Sequence, residues 1–139
     1  MYSILKKGVF MSESLLNQFD VIYTYTRKQA IEDGVLVDVS ATAREAGINF
    51  PVALTSTVWD MYVVPSEKLA DCGQSIASRL WDLLWMFRLK AMRSNNSLLY
   101  FSCLFMDVNE KLDEVKLKAL CGPGDNAEPV ITIMLPGED

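Results

Sequence analysis

QSIASRLWDLLWMFRLKAMR, residues 74–93, is the stretch on which the fold turns. Ile76, Leu80, Leu83, Leu84, Phe87 and Ala91 recur in it at i, i+4, i+7, i+8, i+11 and i+15, the spacing of one face of an α-helix. Ala77, Trp81, Trp85, Leu89 and Met92 lie beside that face, and from Leu80 to Leu89 only Asp82 and Arg88 are charged. A helix that is apolar on most sides is buried on most sides. The stretch is therefore expected to form a central core helix, laid on a sheet, with a second face covered by a helix over 51–63 or by another chain. Burying one large apolar side chain stabilises by ~1.5–3 kcal/mol, so this segment should dominate folding.

Toward the C-terminus, Ser94-Asn95-Asn96-Ser97 reads as a turn. Leu98 to Val108 is a largely apolar strand, and Asn109 to Asp113 a polar turn. Glu114 to Leu120 alternates, with Val115, Leu117 and Ala119 inward and Lys116 and Lys118 outward. That period of two marks a half-buried antiparallel strand. A loop over 121–129 leads to a last strand, Val130 to Leu135, which Pro136-Gly137 stops.

Toward the N-terminus the elements are shorter. Residues 12–18 read as a helical lead-in, and Phe19 to Thr26 as a strand rich in β-branched and aromatic residues. Thr26 is placed to cap a helix from Arg27 to Asp33, with Gln29 as its capping-box partner and Gly34 as a left-handed close. Val35 to Val39 reads as a strand, and Ser40 opens a short helix that ends near Gly47. Pro51 suits the first turn of a further helix. Its apolar stripe would be Val52, Leu54, Thr55, Val58, Trp59 and Tyr62, and Pro65 would end it. Residues 65–73 form a polar connector, with Ser66 as a cap and Gly73 as a break. The expected fold is α+β: a mostly antiparallel sheet, with a C-terminal three-strand meander, packed on a long central helix. Residues 1–18 are an N-terminal extension and 19–139 a single domain.

Composition narrows the function. The chain has 139 residues, 50% hydrophobic and 22% charged, which excludes general disorder. The longest apolar run, Leu98 to Met106, is far short of a membrane helix, so no membrane partner is expected. There is no histidine, which removes Ser-His-Asp and Cys-His catalysis and imidazole-ligated metals. The net charge is −5, and its distribution is uneven. Residues 1–106 carry ten acids and ten bases, while 107–139 carry eight acids and three bases. With a pI near 4.7 and no cluster of Lys and Arg, nucleic acid is disfavoured as a partner. Cys72, Cys103 and Cys121 are widely spaced and odd in number, so they read as free thiols of a cytoplasmic protein rather than disulfides or a zinc site. Cys103 is expected in the core. MYSILKKGVF does not read as a signal peptide, since Lys6 and Lys7 follow its apolar stretch, and Met11-Ser12-Glu13 reads as an alternative start.

Two constellations are candidate sites. Gly122, Gly124, Asp125 and Glu128 form a loop whose first reading is a hairpin turn, with a phosphate cradle or paired acid and base as the sharper one. Trp81 and Trp85, one helical turn apart, read first as core. Their alternative is a partner-facing patch together with Arg79 and Arg88, since Trp and Arg are enriched at binding hot spots. No catalytic, cofactor-binding or metal-binding residue is assigned.

Two resemblances add to this. Tyr23, Tyr25 and Arg27, followed by Gly34, resemble the start of ADP-ribosyltransferase folds, although the usual catalytic histidine of the strand is absent. The second is wider. Its segments are Val21 to Ala30, Gly34 to Val39, Thr42 to Gly47, Phe50 to Thr55 with Val58-Trp59, Arg79 to Met86, Cys121 to Asp125 and Glu128 to Pro136. Together they resemble an uncharacterised bacterial family, domain of unknown function family 6573, over about residues 19–139. That resemblance implies a setting on plasmids, phages and integrated elements. The function expected from it is a non-enzymatic protein-binding module that engages a host protein, such as a defence protein, or a second copy of itself as a homodimer. The alternatives are a His-free enzyme acting on a nucleotide-type substrate, ADP-ribosyltransferase-like, and a weak nucleic-acid binder.

Overall fold

The structure, a computed structural model, describes residues 25–138. The lead-in expected over 12–18 and all but the end of the strand expected over 19–26 lie outside them. The described chain runs α1 (Arg27–Glu32), β1 (Leu36–Asp38), α2 (Ser40–Glu45), β2 (Val52–Thr55) and α3 (Ser56–Val58), which continues into a π-helical turn (Trp59–Val63). Then follow α4 (Glu67–Asp71), α5 (Ile76–Ala91), β3 (Leu98–Met106), β4 (Leu112–Pro123) and β5 (Pro129–Met134).

Local chemistry accounts for most boundaries. Thr26 Oγ1 accepts the Gln29 N–H and the Gln29 side chain accepts the Thr26 N–H, completing the expected capping box. Gly34 closes that turn at φ +78° and Gly73 ends α4 at φ +92°, conformations that disfavour any side chain. Ser66 caps α4, so the expected connector contains a short helix. Ser75 caps α5 by accepting the Ser78 N–H.

The five strands form one sheet in the order β1-β2-β5-β4-β3. Three of the four pairings are antiparallel, and β2 with β5 is parallel. Leu98↔Leu120 and Met106↔Leu112 bracket the long β3–β4 hairpin. Leu99, Phe101, Cys103 and Phe105 on β3 and Val115, Leu117 and Ala119 on β4 point to one face, where they pack with Leu80, Leu83, Leu84 and Phe87 of α5. The inward set on β4 is the one its alternation indicated. On the opposite face, Ala30 of α1 packs with Leu36 and Ala53 over the β1–β2 end.

Two expectations are corrected. Residues 52–55 are not the first turn of a helix but strand β2, paired with β1 on one side and β5 on the other. All four of its side chains are buried, Val52 and Leu54 toward α5 and Ala53 toward α1. A strand covered on both faces has no alternation, and its short apolar run imitates a helical stripe. Helix starts only at Ser56, after Thr55 Oγ1 accepts the Val58 N–H. Pro51 is tolerated because the ladder uses its carbonyl, which accepts the Ile131 N–H at 2.9 Å.

The second correction concerns α5. It is an interior helix along one face only. Leu80, Leu83, Leu84 and Phe87 are buried, whereas Trp81, Trp85, Met86, Leu89 and Met92 are exposed. The π-helical turn packs beside it but leaves that outward face uncovered by any described residue.

Candidate functional site

The outward face of α5 is built by helical geometry. Trp81, Trp85, Leu89 and Met92 fall at i, i+4, i+8 and i+11, which aligns them in a stripe along the axis. The two indoles stack with centroids 6.1 Å apart and planes 11° from parallel. The Arg88 guanidinium lies 5.1 Å from the Trp85 ring centroid, a cation–π contact. Trp81 and Trp85 remain 37% and 39% exposed, so they stand at the surface rather than in the core where their spacing first placed them.

Arg79 does not join them. It is buried against the opposite side of the helix. Its Nε–H donates to the Tyr62 carbonyl at 2.7 Å, and its Nη1 donates to Gln74 Oε1 and the Met106 carbonyl, each at 3.1 Å. The guanidinium also sits 5.0 Å over the Phe105 ring, which stacks on Tyr62. Burial lowers its pKa from the usual arginine value. Arg79 therefore clips the π-helical turn, the α5 N-terminus and the end of β3 together. The proposed patch contracts to Trp81, Trp85 and Arg88, extended by Leu89 and Met92. Sequence reasoning noted the last two only as neighbours of the core face; their alignment with the tryptophans was legible from the helical spacing.

The glycine loop is a β4–β5 turn. The Gly124 N–H donates to the Glu128 carbonyl at 2.6 Å, and Ala127 takes φ +64°. Gly122 lies within β4. Gly124 leaves room for the Glu128 side chain, whose Oε1 a Cβ there would meet at 1.6 Å and displace. Glu128 Oε2 accepts the Asn126 N–H, which holds the turn. The Asp125 carboxylate is engaged elsewhere: it accepts the N–H groups of Arg27 at 2.8 Å and Lys28 at 3.0 Å. These are free donors at the start of α1, where a negative charge is favoured. The two acids are thus positioned as structural acceptors, Asp125 for the start of α1 and Glu128 within the turn.

Of the residues that resemble an ADP-ribosyltransferase start, Tyr23 lies outside the described residues. The Tyr25 hydroxyl donates to Asp33. Arg27 donates to Thr132 Oγ1 at 2.7 Å and to the Ile131 carbonyl at 2.8 Å, joining α1 to β5. Cys103 is buried and its thiol is pushed up to about 12 by that burial, which keeps it protonated and inert. Cys72 is exposed and Cys121 half-buried, and all three are free. Among the described residues no helix is long and apolar enough to cross a membrane.

The sequence profile of a family described as a family of unknown function (DUF6573) matches residues 12–139. The match begins at Ser12 rather than at Phe19, where the motifs placed it. No curated protein and no solved structure matches the chain significantly. The chain belongs to this family of unknown function.

Proposed function

We propose that this member of the family is a non-enzymatic binding module that presents the outward face of α5 to a protein partner. The observation that carries the reading is the stacked Trp81–Trp85 pair, exposed and continued by Leu89 and Met92. Contiguous exposed apolar surface rimmed by polar groups marks an interaction site, and Trp with Arg supplies the usual hot-spot chemistry. A convex helix face suits a partner's groove rather than a small ligand, which needs a concavity. The charges flanking this stripe are Arg88 and Arg93 against Asp82. The partner is therefore a protein with an apolar groove edged by acidic residues. The mobile-element setting that the family resemblance implies directs the search to host proteins, defence proteins among them, in the bacterial cytoplasm.

The test is retention of a stoichiometric protein from host lysate by the wild-type chain and by the double variant Trp81→Glu, Trp85→Glu, with melting temperatures measured alongside. Loss of the partner with folding preserved supports the reading. Undiminished retention by a folded variant overturns it, as does size-exclusion behaviour showing that the tryptophans serve only to join two copies of this chain.

A further inference from the structure

We propose that the cleft at the C-terminal end of α5 binds a small organic monoanion with an apolar body, and that Arg88 holds its charge. The cleft shares Arg88 and Met92 with the outward face of α5, but Trp81 and Trp85 do not line it. Its volume is about 480 Å³, within the range of small-molecule sites. Phe87, Leu99 and Ile131 form an apolar floor, contributed by α5, β3 and β5. The loops 47–50 and 94–97 wall it, with Asn49, Asn95 and Asn96 adding neutral amides.

Among the described residues, Arg88 is the one charged side chain in this lining. It is half-buried and, among the described residues, makes no hydrogen bond or ion pair. Two contacts fix the guanidinium without consuming its N–H donors. Trp85 lies against one side at 5.1 Å, and the backbone of Gly47 against another. A Cβ on Gly47 would stand 2.9 Å from Arg88 Nε, and its φ of +90° is one that side chains rarely adopt. A planar donor fork held in place and left unpaired matches a carboxylate or a similar flat anion. One cation above an apolar floor, with no second base in the lining, suits a single negative charge rather than a polyphosphate.

Cys121 stands in the same wall and reports on occupancy. The experiment labels the wild-type chain with N-ethylmaleimide and follows each cysteine by peptide mass spectrometry, with exposed Cys72 as the internal reference. The probes are decanoate and its neutral counterpart decanol. Decanoate should slow labelling of Cys121 without changing Cys72, and should do so at about tenfold lower concentration than decanol, the effect of one charge-assisted hydrogen bond. Arg88→Gln should abolish that difference between the probes. Equal protection by both probes in the wild type, or none by decanoate, overturns the proposal. So does a folded Arg88→Gln variant that still favours decanoate. The wild-type comparison needs no variant to fold, and none of these outcomes bears on whether a protein docks on Trp81 and Trp85.

Discussion

Arg79 donates its Nε–H to the carbonyl of Tyr62 at 2.7 Å, joining α5 to the π-helical turn across seventeen residues of chain. The same guanidinium reaches the Met106 carbonyl, so a single side chain satisfies main-chain acceptors on the π-helical turn and at the end of β3. Replacing it with methionine keeps the volume but leaves both acceptors without their charged donor. The expected cost is about 2–4 kcal/mol, because buried polar groups that lose a partner keep their desolvation penalty. Urea unfolding of Arg79→Met measures it. Arg79→Lys should recover only part, since an ammonium cannot reproduce the planar fork.

Trp85 and Leu84 are neighbours in sequence with opposite environments. Leu84 is fully buried, and Leu84→Ala should destabilise by about 2–5 kcal/mol through lost transfer energy and a cavity. Trp85→Ala removes a partly exposed indole and the stack with Trp81, and should cost about 1–3 kcal/mol, less than Leu84→Ala. Parallel denaturant titrations decide it. A Trp85→Ala loss equal to that of Leu84→Ala would show the indole to be a core residue after all.

Asp125→Ala should destabilise by about 1–2 kcal/mol, because the first two N–H groups of α1 lose their acceptor and the helix loses its favourable charge. Amide hydrogen exchange at Arg27 and Lys28 should quicken in the variant while α5 keeps its protection.

The buried Cys103 thiol gives a pH dependence with a definite sign. Its pKa is raised from 9.0 to about 12 in the folded chain, so the folded state holds a proton that the unfolded state releases. The stability that this contributes is complete below pH 9.0 and declines as pH rises toward about 12. Between pH 8 and pH 10.5, the melting temperature of Cys103→Ala should fall less than that of the wild type. Equal falls would assign the alkaline loss to other groups.

Much of this molecule could be read from local pattern. The buried stripe of α5, the inward set of β4, the Thr26–Gln29 box and the Ser66 cap each depend on residues within one or two turns, or one strand, of each other. Hydrophobic periodicity records burial on one side of an element, and capping records a bond three residues long. The candidate site was half legible. Spacing named Trp81, Trp85 and Arg88, but it could not tell which side of an apolar helix would be covered. It also grouped Arg79 with them, although that side chain turns inward to acceptors on Tyr62 and Met106.

The amino-acid order alone thus determined the α+β class, the position of the long helix and the strands of the hairpin, because those features arise from alternation and helical spacing along the chain. Tertiary structure decided that residues 52–55 are a strand, that Asp125 serves α1 and that no described residue covers one face of α5. Each of these depends on partners distant in sequence: a strand buried on both sides carries no alternation, an acceptor 98 residues away leaves no local mark, and the exposure of a helix face is set by what packs against it.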